Sequence, residues 1–172
     1  MNNQLAKEIK EWIICIIVAG AIAFLIKGYV FDIIQVSGTS MVPTLHDSDR
    51  VAVEKISLYN DNLKHGEIII FDPGSKGRGI YIKRIIGLPG DEVEISDGCV
   101  YVNGKKLVED YLKPGTFTEG DQKLKVPNDS IFVLGDNREV SEDSRYIGPI
   151  PIKNIKGHAI LRVFPFNQIR KF

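Results

Sequence analysis

Three stretches of this chain hold residue types at spacings that could do chemistry. The first is Ser37-Gly38-Thr39-Ser40-Met41-Val42-Pro43-Thr44-Leu45. Glycine among small hydroxyl residues lets the backbone turn tightly and present a hydroxyl beside N–H donors. On composition alone such a run is more often a plain loop. The second is Tyr81-Ile82-Lys83-Arg84-Ile85-Ile86-Gly87-Leu88-Pro89-Gly90-Asp91. On a strand Lys83 shares a face with Tyr81 and Ile85, and Arg84 shares the other with Ile82 and Ile86. One of the two cations is therefore expected to point toward an apolar side. Lysine can give up its proton on burial, whereas arginine stays charged. Lowering a lysine pKa from about 10.4 to about 8 corresponds to roughly 3 kcal/mol, within the reach of desolvation. The third is Gly135-Asp136-Asn137-Arg138-Glu139-Val140-Ser141-Glu142-Asp143-Ser144-Arg145-Tyr146-Ile147-Gly148. Its acids do not follow an EF-hand register and its arginines oppose a cation. Asp143 and Arg145 instead suit an ion pair that fixes a loop, with Ser141 able to bond a nearby amine.

A serine nucleophile needs a base. His46, His65 and His158 each lack a convincing acid partner at motif spacing. A neutral lysine is the other base that serves serine, and Lys83 is the candidate. Taken alone, a surface strand with two solvated cations is the commoner arrangement for Lys83-Arg84.

These residues need a scaffold. After Val36, short runs rich in β-branched and aromatic residues recur between turn signals. They are Arg50–Ile56, Glu67–Phe71, Gly79–Gly87, Glu92–Ser96, Cys99–Val102, Ser130–Leu134 and His158–Phe164. Asp97-Gly98 and Asn103-Gly104 predict tight turns in a hairpin from Val93 to Leu107. The expected body is antiparallel and mainly β, with coiled or barrel-like sheets. Gly74–Gly79 (GSKGRG) lacks the spacing of a phosphate-binding loop and reads as a linker.

Ahead of the body, Ile13 to Ile26 carries no charge or strong polar group. Extended to Trp12–Phe31, the segment reaches about 30 Å as a helix, the thickness of a bilayer's hydrocarbon core. Lys27 near its end can snorkel, and Trp12, Tyr29 and Phe31 suit the interface. A cleavable leader and a buried core helix are the competing readings, but the Ala21-Ile22-Ala23 match lies inside the apolar run. Lys7 and Lys10 against Lys27 favour a cytoplasmic N-terminus. The expected division is a cytoplasmic tail at 1–11, a transmembrane anchor at 12–31 and an extracytoplasmic catalytic domain at 32–172.

The 172 residues carry 22 Lys+Arg and 22 Asp+Glu. Removing residues 1–36 leaves 19 of each, so the body is as neutral as the whole and nucleic-acid binding is not expected. Two cysteines, Cys15 in the apolar segment and Cys99 in the body, exclude a disulfide-stapled scaffold.

Read together, the boxes resemble those of the bacterial type I signal peptidases, the membrane-anchored Ser–Lys endopeptidases. The likeness spans nearly the whole chain: the N-terminal apolar segment, SM-x-PTL at Ser40–Leu45, KR-x-x-GLPGD at Lys83–Asp91 and GDNR-x-x-S-x-DSR-x-x-G at Gly135–Gly148, in that order. Lysine at position 83 marks the prokaryotic type, and the short body is similar to Gram-positive members. The resemblance implies a mainly β fold of coiled antiparallel sheets, of the signal-peptidase and self-cleaving-repressor type, after one transmembrane helix. It implies Ser40 as nucleophile, Lys83 as general base and Ser141 as the residue that hydrogen-bonds and orients the lysine. Asp143 with Arg145, and Asp136 with Arg84, would be structural ion pairs. The Ser40 N–H would be one oxyanion donor. The second is open, because Gly38 stands where some members have serine. Ile34, Val36, Val51 and Ile82 match positions lining shallow pockets for small side chains. No metal or other cofactor is implied. The implied partners are signal-peptide-bearing preproteins and membrane lipid, for a monomer without nucleic acid. A self-cleaving repressor-type protease, or a catalytically silent anchored module that binds exported segments, are the alternatives.

Overall fold

The computed structural model describes every residue except 1, 60–62, 75, 76 and 78. Three residues of the Gly74–Gly79 linker thus lie outside the described residues. The chain opens with α1 (Asn2–Tyr29), whose apolar part, Lys7–Tyr29, is long and apolar enough to cross a membrane. The helix begins well before Trp12, because Asn2–Glu11 contains neither glycine nor proline to stop it. It ends before Phe31, which opens strand β1 (Phe31–Gln35) and pairs with Glu54 instead of completing the anchor.

The strands that follow are β2 (Arg50–Glu54), β3 (Ile68–Phe71), β4 (Tyr81–Gly87), β5 (Glu92–Ser96), β6 (Cys99–Val102), β7 (Lys105–Lys106), β8 (Gln122–Lys125) and β9 (Ser130–Leu134). A single-turn helix, α2 (Ser144–Ile147), precedes β10 (Ile150–Pro151), β11 (Ile155–Phe164) and β12 (Arg170–Lys171). The larger sheet runs β1-β2-β11-β3-β4-β9-β10, with β12 paired to β11; the smaller runs β7-β6-β5-β8. All pairings are antiparallel. Each of the seven expected strand segments contains a strand, and the fold is mainly β with a curled antiparallel sheet.

The two turns of the small sheet follow from their residues. Asp97 and Gly98 have φ of 50° and 73°, and Asn103 and Gly104 have 52° and 74°. Positive φ at both central residues is the type I′ condition, which matches strand twist. Gly98 is also needed for space, since a Cβ there would meet the Phe117 ring at 2.2 Å.

Strand β3 is buried along its whole length because both faces are covered. Ile68 and Ile70 join a cluster with Val36, Met41, Leu45, Val51 and Val53. Ile69 and Phe71 join another with Ile85, Ile131, Val133 and Ile155. A third cluster, including Ile86, Val93, Ile95 and Phe132, bonds the small sheet to the large one. Its neighbour β4 inherits the two covered faces, and this decides the fate of Lys83 and Arg84: both are buried, not one alone.

Candidate active site

Register sets the site. Lys83 lies opposite Ile69 and Arg84 opposite Ile68 on one side, and Arg84 faces Leu134 on the other. Strand β9 ends at Leu134, so Gly135 and Asp136 begin the next loop beside the two cations. Lys83 Nζ donates to Ser40 Oγ at 2.8 Å, across 43 residues of sequence. The Lys83 side chain also passes 5.3 Å from the centre of the Tyr81 ring. Burial pushes its ammonium down to about 8, against the opposing pull of Asp143, Glu142 and Asp136. With a pKa of about 8, roughly a tenth of this amine is neutral at pH 7, and that neutral form can take the proton of the hydroxyl it contacts.

The ion pairs are buried. Arg84 grips Asp136 with Nε at 2.9 Å and Nη2 at 2.7 Å, and its Nη1 bonds the Gly66 carbonyl at 2.7 Å. Arg145 grips Asp143 with Nε at 2.8 Å and Nη2 at 3.0 Å. Asp143 also accepts from Gly135 N at 3.0 Å and caps α2 through Arg145 N. The loop reaches the nucleophile directly: Asn137 N donates to the Ser40 carbonyl at 3.0 Å and Asn137 Nδ2 to the Thr39 carbonyl at 3.2 Å.

Ser141 differs from its expected role. It is buried beside Gly135, but its Oγ has no hydrogen-bond partner, and the Lys83 amine bonds Ser40 instead. The orienting bond between Ser141 and Lys83 is therefore absent. Gly38 has φ of +90°, a conformation in which serine would be strained. Its N–H is taken by Asp47 Oδ1 at 2.8 Å, so that N–H is occupied.

A cleft of about 620 Å³ opens beside Ser40. Ile34, Val36 and Ile82 line it, together with Gly38, Met41, Tyr81, Val140 and Glu142. Val51 does not: it pairs with Ile34 across β1 and β2 and is fully buried in the core below.

Several contributors escaped sequence reasoning. Tyr81 Oη donates to Glu142 at 2.6 Å at the cleft rim. Arg162 and Asp49, 113 residues apart, form a buried pair at 3.0 Å that also holds the Thr44 carbonyl. Arg138 is buried against Glu109 and Thr118. Two histidines do have acid partners, His65 with Asp91 at 2.6 Å and His158 with Glu67 at 3.2 Å. Those partners come from other segments, which motif spacing does not reveal. No cluster of three or more metal-ligating acid, histidine or cysteine residues occurs among the described residues. Cys15 and Cys99 are both free.

A β scaffold here packs a desolvated lysine against a serine hydroxyl, an arrangement that suits a serine nucleophile served by a lysine base. Residues 9–164 match the family model described as signal peptidase, peptidase S26. The chain is 44% identical over 171 residues to signal peptidase I of Bacillus licheniformis, covering 94% of this chain and 91% of that one. It is 38% identical over 181 residues to signal peptidase IB of Staphylococcus aureus, covering 95% and 94%. A crystal structure of a signal peptidase I from Enterococcus faecalis matches with a TM-score of 0.50 and 34% identity, over 56% of this chain and 96% of that one. The chain belongs to the S26 signal peptidase family and is a serine endopeptidase.

Proposed function

We propose that this protein removes N-terminal signal peptides from exported preproteins through a Ser40–Lys83 dyad and an acyl-enzyme intermediate. The observation that carries the reading is the 2.8 Å contact between the buried Lys83 amine and the Ser40 hydroxyl. Neutral Lys83 takes the Ser40 proton as Oγ attacks the scissile carbonyl. The Ser40 N–H donates to the oxyanion, with a second donor other than the occupied Gly38 N–H. The lysine then gives its proton to the leaving amine as the peptide bond breaks, leaving the signal peptide as an ester on Ser40. Lys83 next draws a proton from water as the water oxygen attacks the ester, then returns that proton to Ser40 Oγ as the ester C–O bond breaks and the signal peptide leaves as a carboxylic acid.

An extended precursor segment lying along the cleft would place side chains against Ile34, Val36 and Ile82. These shallow apolar walls suit small residues at the −1 and −3 positions. Asp136–Arg84 and Asp143–Arg145 hold the site and take no part in bond breaking. In this reading α1 is a single membrane anchor with its N-terminus in the cytoplasm, flanked by Lys7 and Lys10. The domain at 32–172 then works on the outer face, on precursors emerging there.

The test is cleavage of a model precursor in detergent by the wild type, Ser40→Ala and Lys83→Ala. Both variants are expected to fold and to lose cleavage by 10³-fold or more, as for other members of a nucleophile–base pair. Full activity in either sinks the dyad.

A further inference from the structure

The chain between β7 and β8, residues 107–121, has no regular secondary structure, yet it is held down along its length. Thr118 N donates to the Gly98 carbonyl at 3.0 Å, and Phe117 covers Gly98. Leu112 N and Thr116 N close local turns on Glu109 and Lys113. An unstructured connection this long in a small domain usually has a task beyond joining strands.

Its contacts share a target. The Tyr111 ring stacks on the Arg84 guanidinium, 3.9 Å from ring centre to Cζ, and Tyr111 Oη donates to Glu109 at 2.6 Å. Glu109 receives Nη1 and Nη2 of Arg138, and Thr118 Oγ1 receives Nη1 at 2.5 Å. The Glu119 carbonyl accepts from Arg145 Nη1 at 3.4 Å. One segment thus touches Arg84, Arg138 and Arg145, the arginines of the two boxes that surround the dyad.

Each arginine passes the contact inward. Arg84 fixes Asp136, and Arg145 fixes Asp143. Both carboxylates act on Lys83. Arg138 Nε bonds the Gly135 carbonyl at 3.1 Å, and Gly135 lies against Ser141 Oγ and the Ser40 carbonyl. The Arg138 side chain is fully buried, so without Glu109 it would be an uncompensated buried charge. The Tyr111 face holds the Arg84 plane in the orientation that makes two bonds to Asp136.

We propose that residues 107–121 form a strap that positions the Ser40–Lys83 dyad, with Glu109 and Tyr111 as its positioning residues. The inference rests on the dyad reading above. Neither residue touches reacting atoms; each acts through an arginine. The small sheet, which launches and receives the strap, is then part of the catalytic apparatus.

The experiment uses the full chain in detergent with a precursor peptide, measuring kcat and KM separately alongside a melting curve. Glu109→Gln and Tyr111→Leu are each expected to lower kcat tenfold or more, with KM within twofold and the protein folded at the assay temperature. Tyr111→Phe keeps the ring over Arg84 and is expected to recover most of the kcat lost in Tyr111→Leu. A kcat within twofold of wild type in either folded variant overturns the proposal, as does a loss that appears in KM with kcat kept. Failure of Tyr111→Phe to exceed Tyr111→Leu overturns it too. If Glu109→Gln does not fold, the Tyr111 pair decides alone. Ser40→Ala runs in parallel: full cleavage by that variant would fault the dyad reading, whereas inactive Ser40→Ala with unaffected strap variants faults the strap only.

Discussion

Burial holds the Lys83 amine at about 8, down from 10.5, and two measurable consequences follow at the scale of that residue. The first concerns rate. The neutral form is the base, so kcat/KM is expected to rise as pH increases and to level off above an apparent pKa near 8. A plateau already complete at pH 6 would contradict this. The second concerns stability. The folded value lies below the unfolded one, so the folded protein holds this proton less tightly. Below pH 8 both states are charged, and the folded state bears the full cost of the dry ammonium, about 3 kcal/mol for a shift from 10.5 to about 8. That cost is relieved as pH rises from about 8 and is gone above 10.5. Lys83→Met, which keeps the length and drops the charge, is therefore expected to melt higher than wild type at pH 7, with the gap narrowing through pH 8–10. Urea titrations of both proteins at several pH values measure it, and a gap independent of pH would show that the amine is not the source.

Two elements meet at Gly135, where strand β9 gives way to the loop that carries the site. A Cβ there would lie 2.1 Å from Ser141 Oγ and 2.5 Å from the Ser40 carbonyl. The hydroxyl can rotate away, but the carbonyl belongs to the nucleophile's own backbone and moves only by displacing Ser40. Gly135→Ala is accordingly expected to lower kcat by about 10²-fold, the scale of a 1 Å misplacement, and precursor cleavage by the purified variant checks it. This glycine reads in the sequence as one letter of a motif; its reason is a contact 95 residues away. The same limit applies across the molecule. Strands β5, β6 and β9 were legible with their bounds, since alternation or a dense apolar run lies between strong turn residues. Strand β8 (Gln122–Lys125) was not, because its sequence QKLK is polar and is held by Lys123 pairing with Glu92 and Glu94 across the ladder. Strand β1 was hidden because its residues FDIIQ follow the apolar helix after only Lys27-Gly28-Tyr29-Val30, so that Phe31 reads as the end of the same segment. At the site, residue type pointed to Lys83 and to Asp143 with Arg145, whereas Ser40 as nucleophile and Asp136 with Arg84 came only from the resemblance to a known family. Glu109 and Tyr111 have no such signal, since an acid and a tyrosine in a loop acquire meaning only when Arg138 and Arg84 fold against them.

At the scale of the whole chain, the helix and the β body divide the work unevenly. The apolar window of α1 is not buried by any other part of the protein, so it contributes nothing to the core around Ser40 and Lys83. Catalytic geometry should then survive its removal. What it supplies, in the proposed reading, is location: a helix from Lys7 to Tyr29 in the bilayer tethers Ser40 within a short, partly paired segment of the membrane surface. Tethering turns the meeting of enzyme and membrane-held precursor from a search in three dimensions into one in two, raising effective concentration without new contacts. Deleting residues 1–29 while keeping β1 is therefore expected to leave cleavage of a soluble precursor peptide in detergent within about threefold of the full chain. Against a precursor held in lipid vesicles, the truncated form should be slower by about 10²-fold, the lower end of avidity gains. Equal loss on both substrates would mean that the helix shapes the site; equal retention on both would mean that the β body finds the membrane without it.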